Sequence, residues 1–192
     1  MNVLQERKKH IALTLGTVFA NYAVDRVTKL AACAFLKGRE DISLLHNVMV
    51  LMYRENSGAF LSLGAEWNAA LKYVALLVAP LLLCIAGTVY LMLKEKNLQR
   101  IVLCACVIGG GVGNLFDRLL NGFNVIDFMN FGIGRLRTGV LNFADLSVTA
   151  GAVLLLFSEL REAKKQLAPA NAGNPLDDTS SLSADDGSPS ND

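Results

Sequence analysis

The sequence predicts an all-α membrane protein with four transmembrane helices, and two observations support that prediction. Hydrophobic residues make up 53% of the chain and charged residues only 18%, with a mean hydropathy of +0.39. A soluble domain carries about 25% charged residues, so this composition is typical of a chain solvated by lipid. Residues 73–93 contain no charged side chain, and about 20 apolar residues are enough to cross the hydrocarbon core of a bilayer.

The other predicted spans are less uniform, because polar residues interrupt them. The first contains Asp25, Arg26 and Lys29, and the third and fourth carry charged residues near their outward ends. The first apolar stretch is too long for a cleavable secretory signal and lacks its small-residue exit, so we expect it to be an anchor. The four predicted spans cover about residues 11–36, 71–93, 101–120 and 140–160.

Lysine and arginine residues in the short flanking segments predict that both chain ends face the cytoplasm. Basic clusters precede the first span, join the second to the third, and follow the fourth, so four spans place all three clusters on one side. The opposite loops also carry basic residues, which weakens the bias. The net charge of +1 indicates no nucleic-acid partner. The clusters are Arg7, Lys8 and Lys9; Lys94, Lys96 and Arg100; and Arg161, Lys164 and Lys165.

The chain of 192 residues is long enough for one folded domain, which we place at residues 1–167. Residues 37–70 and 121–139 are predicted to be outer loops, and the apolar run at 48–53 predicts a short strand in the first. Residues 168–192 are rich in Pro, Ser, Asn, Gly and Asp, so we expect a disordered, acidic, cytoplasmic tail. The spacing of the four cysteines matches neither a disulfide framework nor a metal site.

Charged side chains are costly inside a bilayer, at about 3 kcal/mol each, so those in or beside the spans are candidate functional residues. Asp127 follows the third span and Asp145 begins the fourth, and the two should meet at the outer membrane interface. Two facing carboxylates share one proton, because both cannot ionise cheaply. One can then activate a water molecule while the other polarises a carbonyl group. This pattern favours peptide hydrolysis without a covalent intermediate.

Each aspartate also has a simpler interpretation. Asn142 followed three residues later by Asp145, before an apolar run, is typical of a helix N-terminus with an acid in its first turn. Asp127 on its own is more often a solvated loop residue than a catalyst. The spacing leaves both interpretations open.

Further polar residues surround this pair in the sequence. Asp25 and Lys29 lie one helical turn apart, which is the spacing of a stabilising ion pair. Asn114 can hydrogen-bond across helices, and we expect Asp117 and Arg118 to support the site rather than to carry out chemistry. Asn56, with Gly58 two residues later, offers amide groups to an extended peptide. The glycines of residues 109–113 are predicted to let the third helix pack closely.

Five short motifs along the chain resemble the lipoprotein signal peptidase (signal peptidase II) family. They occur in order over residues 25–145 and so cover most of the predicted domain. The chain has one alanine after Gly58 where the family usually has two, and Leu141 where phenylalanine is common. The motifs are Asp25-Arg26-Val27-Thr28-Lys29, Asn56-Ser57-Gly58-Ala59-Phe60, Gly113-Asn114-Leu115-Phe116-Asp117-Arg118, Val125-Ile126-Asp127-Phe128 and Asn142-Phe143-Ala144-Asp145.

The resemblance implies a four-helix inner-membrane endopeptidase with an outward-facing site and a small extracytoplasmic β-cradle. It implies an aspartyl dyad at Asp127 and Asp145, and prolipoprotein substrates cleaved just before a diacylglyceryl-modified cysteine. We expect no cofactor and no metal, membrane lipid as the surroundings, and a monomer. Supporting or substrate-binding roles are implied for Asn56, Gly58, Asn114, Arg118, Asn142, Asp25 and Lys29.

Two rival classes stay open at this point. A serine peptidase would use Ser57 or Ser62 with Lys29 as the base, although the serines lie on a loop without a fixed spacing. A small transporter would use the intramembrane carboxylates to relay protons or bind cations, although they cluster at one interface. A metallopeptidase is disfavoured, because the only histidines are His10 and His46 and neither lies in a His-Glu-x-x-His stretch.

Overall fold

The computed structural model describes residues 3–58, 64 and 66–167. The predicted acidic tail at 168–192 lies outside the described residues. Contacts divide the chain into two units, residues 1–156 and 157–192. The first unit holds the helices and the sheet considered below, and the described part of the second is the end of the last helix.

The described residues form five α-helices and four β-strands. A short π-helical segment, Val74–Val78, joins the second helix to the third without a break. The helices are α1 Val3–Phe35, α2 Ala69–Tyr73, α3 Ala79–Leu93, α4 Leu98–Leu120 and α5 Phe143–Leu167; the strands are β1 Ile42–Leu44, β2 Met49–Asn56, β3 Val125–Ile133 and β4 Leu136–Leu141.

Three helical stretches within the described residues are long and apolar enough to cross a membrane: Ala69–Leu93, Leu98–Leu120 and Phe143–Lys165. They match three of the predicted spans to within a few residues. Helix α1 is longer, but polar and charged residues interrupt its apolar stretch and it does not belong to this group. The predicted first span, residues 11–36 in α1, therefore stays a prediction.

Residues 121–139, predicted to be a loop, instead supply β3 and part of β4 of an antiparallel sheet. The strands lie in the order β1-β2-β3-β4, with Asn56 of β2 opposite Val125 of β3 and Met129 of β3 opposite Leu141 of β4. The strand predicted at 48–53 is present as β2. Because Leu141 ends β4, helix α5 begins at Phe143 and not at the predicted residue 140.

The sheet packs on the end of α1. Ala32 from the last turn of α1 and Leu36, the residue that follows the helix, form a buried cluster with Phe128 and Met129 of β3. Burial on both faces explains why the first six residues of β3 are all buried and show no alternation of polar and apolar positions. The cluster fixes the position of β3 relative to α1.

The glycines of α4 allow close helix packing, as predicted from the sequence. A Cβ atom at Gly109 would lie 2.9 Å from the Val18 carbonyl oxygen of α1, and one at Gly110 would lie 2.6 Å from the Ala144 carbonyl oxygen of α5. Neither backbone can yield without moving a helix. Helix α4 therefore lies in direct backbone contact with both α1 and the start of α5.

Candidate active site

The start of α5 is held by a reciprocal pair of hydrogen bonds. The Asn142 side-chain oxygen accepts from the Asp145 backbone N–H at 2.9 Å, and the Asp145 carboxylate accepts from the Asn142 backbone N–H at 3.2 Å. This is the geometry of a capping box, which satisfies N–H groups that the first helical turn leaves free. The capping interpretation of Asn142 and Asp145 is thus confirmed, and it fixes where the Asp145 carboxylate lies.

Asn142 also contacts the other candidate carboxylate. Its side-chain nitrogen donates to Asp127 Oδ1 at 2.6 Å, while Asn56 of β2 donates to Asp127 Oδ2 at 3.0 Å. Asp127 lies on β3 and is only 2% exposed, so the interpretation of it as a solvated loop residue is wrong. A single asparagine therefore links the two aspartates.

Burial raises the pKa of Asp127 to about 6. The hydrogen bond from Asn56 opposes this rise, because it favours the ionised form of the carboxyl group. The nearby negative charge of Asp145 acts in the same direction as burial. Asp127 therefore titrates close to neutral pH, where a carboxyl group can both give and take a proton.

Asn114 of α4 connects Asp145 to the buried charges of α1. Its side-chain nitrogen donates to Asp145 Oδ1 at 2.9 Å. Its side-chain oxygen accepts from Lys29 Nζ at 2.9 Å and from the Asn142 side chain at 3.1 Å. Because the Asn114 side-chain oxygen accepts from two donors, the orientation of the amide is determined, and its nitrogen must face Asp145.

Four charged side chains of α1 and α4 form a buried cluster around Lys29. Its Nζ lies 2.8 Å from Asp25 Oδ2 and 2.8 Å from Asp117 Oδ2, and Arg26 pairs with the other oxygen of Asp117. Lys29, Asp25 and Asp117 have no exposed surface. The predicted Asp25–Lys29 ion pair is present. The second Lys29 pair, with Asp117 on another helix, was missed, because sequence spacing gives no register between helices.

Asp25 has a second contact that the sequence did not indicate. Its Oδ1 accepts the backbone N–H of Ala144, in the first turn of α5, at 3.0 Å. A carboxylate next to the N-terminus of a helix is stabilised by the partial positive charge there. Asp25 therefore anchors the turn that carries Asp145 to helix α1.

Arg118 supports the loop that follows β2. Its guanidinium group donates to the Gly58 carbonyl oxygen at 2.7 Å and to the Asn114 carbonyl oxygen at 3.3 Å. The Gly58 N–H in turn donates to the Asn56 side-chain oxygen at 2.9 Å. Ala59 and Phe60, the last two residues of the same motif, lie outside the described residues.

A cavity of about 210 Å³ borders these polar residues. Asn114, Arg118 and Asp145 line one part of it, and the rest of its wall is mainly apolar. An extended peptide segment beside Asp145 would thus meet both hydrogen-bonding groups and an apolar wall. The apolar lining residues are Leu76, Pro80, Leu115 and Val148, with Gly111.

The described residues contain no group of three or more side chains suited to hold a metal ion. The geometry of Lys29 does not favour the serine-peptidase alternative. Lys29 Nζ donates to the Asn114 side-chain oxygen and forms ion pairs with the carboxylates of Asp25 and Asp117, so its ammonium group is already engaged with residues of α1 and α4. The serine candidate Ser62 lies outside the described residues.

Three apolar helices, a small antiparallel sheet and polar groups buried among the helices define the chain as a multi-pass membrane protein. The sequence profile of the signal peptidase (SPase) II family matches residues 17–161. The chain belongs to that family and is therefore a protease of the membrane.

Individual relatives agree with this assignment. The chain is 32% identical over 158 residues to the lipoprotein signal peptidase of Paraburkholderia phymatum, covering 80% of this chain and 91% of the relative. It is 29% identical over 148 residues to the lipoprotein signal peptidase of Borrelia hermsii, covering 74% and 86%. A solved structure described as a bacterial membrane enzyme matches with a TM-score of 0.68 at 21% identity, covering 79% of this chain and 90% of the other. That structural match supports the fold.

Proposed function

We propose that this chain is an aspartic endopeptidase of the bacterial inner membrane that removes signal peptides from prolipoproteins. Cleavage falls just before the cysteine that carries a diacylglyceryl group. The observation that carries the proposal is the link through Asn142, which hydrogen-bonds to both the Asp127 and Asp145 carboxylates. The curated relatives named as lipoprotein signal peptidases supply the substrate class.

In the proposed reaction, Asp127 and Asp145 share one proton. The ionised member takes a proton from a water molecule, whose oxygen attacks the scissile carbonyl carbon, and the protonated member gives its proton to the carbonyl oxygen. When the tetrahedral gem-diol collapses, the ionised carboxylate takes the proton of one hydroxyl group, the carbon–nitrogen bond breaks, and the protonated carboxyl group gives its proton to the leaving amine, so the pair again shares one proton. The raised pKa of Asp127 makes its protonated form more accessible than that of an ordinary carboxyl group, which favours a proton shared by the pair.

The remaining polar residues hold this pair and the substrate. Asn114 and Asn142 orient the two carboxylates, and the buried pair of Asp25 and Lys29 fixes the start of α5 and the Asn114 amide. The loop of Asn56 and Gly58, braced by Arg118, offers hydrogen bonds to the substrate backbone beside the cavity at Asp145.

We further propose the topology that this reaction needs. Helix α1 also crosses the membrane, which makes four spans in all, both chain ends face the cytoplasm, and the site faces outward. Residues 1–167 are then one membrane domain and 168–192 a cytoplasmic tail, in a chain that acts as a monomer without cofactor or metal. The acyl chains of the substrate stay in the bilayer while its scissile bond reaches the carboxylates, so the substrate need not be extracted.

The test is cleavage by the purified protein of a diacylglyceryl-modified prolipoprotein and of its unmodified form. Asp127→Asn and Asp145→Asn each remove one ionisable carboxyl group, and Asp41→Asn is the matched control. Asp41 is exposed and lies 3.5 Å from Arg54 on the surface. We expect cleavage of the lipidated form only, lost in both dyad variants and kept in the control.

Thermal unfolding shows whether each variant is folded. Full activity in a folded Asp127→Asn or Asp145→Asn protein would refute the dyad. Equal cleavage of the unmodified substrate would refute the requirement for the lipid. Absence of cleavage by the wild type, under conditions in which a known lipoprotein signal peptidase is active, would refute the proposed activity.

A further inference from the structure

A cavity of about 750 Å³ lies at the opposite end of the helices from the aspartates. It is formed by the first turns of α1 and by the connection between α3 and α4. Lys9 and Lys29 are 20 residues apart on α1, which at 1.5 Å per residue places the cavity about 30 Å from the buried charges of the site. The lining residues are Glu6, Arg7, Lys9, His10, Met92, Leu93, Lys94, Glu95, Lys96 and Leu98.

The rim of this cavity is cationic. Arg7, Lys9, Lys94 and Lys96 are exposed, and none of them has a side-chain hydrogen bond or ion pair with another described residue. Of the two lining carboxylates, Glu95 is already engaged, because its Oε1 accepts the backbone N–H groups of Lys96 and Asn97, each at 2.8 Å. Four cations without a partner among the described residues therefore line one cavity, together with a single further exposed carboxylate, Glu6.

The cavity also has apolar lining residues, which continue onto the exposed surface of α3. Met92, Leu93 and Leu98 line the cavity. Val89 and Tyr90, one turn earlier on α3, expose 48% and 55% of their surface. A ligand that combines an anionic head with long apolar chains would satisfy both the rim and this continuous apolar surface. A free phosphate ion would use the rim alone.

We propose that the cavity binds the phosphate-containing headgroup of an anionic phospholipid, whose acyl chains lie along α3. Basic residues at the cytoplasmic face of a membrane protein attract anionic lipid at about 1 kcal/mol per lysine or arginine, which corresponds to about fivefold in affinity. The proposal rests on the topology proposed above, in which α1 crosses the membrane and this end faces the cytoplasm, and not on the catalytic dyad. Binding there would set the depth of α1 and α3 in the bilayer.

The experiment is native mass spectrometry of the purified protein in neutral detergent with phosphatidylglycerol, and with phosphatidylcholine of the same chain length. Lys94→Gln/Lys96→Gln removes two charges of the rim. Lys164→Gln/Lys165→Gln removes a basic pair of α5 that is not among the lining residues. We expect the wild type to prefer phosphatidylglycerol, the rim variant to lose about 25-fold in affinity, and the control to change less than about twofold.

Three results would contradict the proposal. Equal binding of the two lipids, or equal loss in the rim and control variants, would overturn a headgroup site at this cavity. Binding of inorganic phosphate as tightly as phosphatidylglycerol would show that the acyl chains contribute nothing, and would overturn the lipid assignment in favour of a simple anion site. If Lys94→Gln/Lys96→Gln fails to fold, Arg7→Gln/Lys9→Gln tests the same rim from the other helix. Peptidase activity in neutral detergent should be unchanged in each folded variant, since the cavity lies far from the dyad.

Discussion

Replacement of Lys29 by methionine should damage both the stability and the activity of the protein, for separable reasons. The cluster of Asp25, Arg26, Lys29 and Asp117 is neutral as it stands, with two cations and two carboxylates. Lys29→Met keeps the apolar stem of the side chain but leaves one buried negative charge without a partner. Removal of one member of a buried ion pair costs about 3–5 kcal/mol. At about 2–4 °C per kcal/mol for a chain of this size, the melting temperature should fall by about 6–20 °C.

The second effect, the loss of activity, depends on the side-chain amide of Asn114. Lys29 donates one of the two hydrogen bonds that fix the Asn114 oxygen, and a hydrogen bond to a charged group contributes about 1.5–3 kcal/mol. If that energy serves to orient the amide toward Asp145, kcat should fall on the order of 10- to 100-fold. Lys29 then acts as a positioning residue and not as a base.

The double variant Lys29→Met/Asp25→Asn separates the two effects. It restores the neutral balance of the cluster, so part of the lost melting temperature should return. It does not restore the donor to Asn114, so kcat on the lipidated substrate should stay low. Full recovery of kcat in the double variant would refute the positioning role and show that Lys29 only neutralises charge.

A surface ion pair provides the control for this experiment. Lys37 pairs with Glu55 at 3.0 Å, but the two side chains are 59% and 44% exposed. Exposed pairs contribute about 0–1 kcal/mol, so Lys37→Met should shift the melting temperature by no more than a few degrees. A shift as large as that of Lys29→Met would show that burial is not the cause.

Two further results follow from the site and the helix packing. Asp127 has a folded-state pKa of about 6, above its usual value of 3.8, so its contribution to stability is present below about pH 4 and is lost as the pH rises through about 6. The stability of the wild type relative to Asp127→Asn should therefore fall over that range in unfolding experiments, and a constant difference would contradict the raised pKa. Gly110→Ala should destabilise the protein and lower activity, because its Cβ would lie 2.6 Å from the Ala144 carbonyl oxygen, whereas a Cβ at Gly111 meets only the flexible Cys84 side chain at 3.2 Å. Equal melting temperatures for Gly110→Ala and Gly111→Ala would contradict this packing.

The parts of the fold that the sequence could predict are those set by local pattern. The uncharged run at 73–93 is enough to identify a span, and its helix is observed. The strand β3, Val125–Ile133, could not be recognised, because both of its faces are buried and its Asp, Asn and Gly residues are typical of a loop. Its position depends on packing against Ala32 and Leu36, at the end of α1 and just beyond it, about 90 residues earlier in the chain.

The same distinction holds within the site. The Asp25–Lys29 pair follows from a spacing of four residues on one helix and was predicted. The contact of Lys29 with Asp117, and that of Asp25 with the Ala144 N–H, depend on how three helices pack and have no local signal. A buried cation near two buried carboxylates on neighbouring helices could have been suspected from the cost of leaving any of them unpaired.

The start of α5 shows why the capping and catalytic interpretations of Asp145 do not compete. The capping box holds one oxygen of Asp145 against the Asn142 N–H, and Asn114 holds the other. The hydrogen bonds that cap the first turn of α5 therefore also orient the Asp145 carboxylate. Asparagine at position 145 keeps an oxygen that can accept from the Asn142 N–H, whereas alanine would also remove the cap, at about 0.5–2 kcal/mol. Asparagine has only one such oxygen, so Asp145→Asn also loses the hydrogen bond from Asn114. Loss of activity in Asp145→Asn can thus be assigned to the carboxylate and its bond from Asn114, while the same loss in Asp145→Ala could come from an unwound first turn.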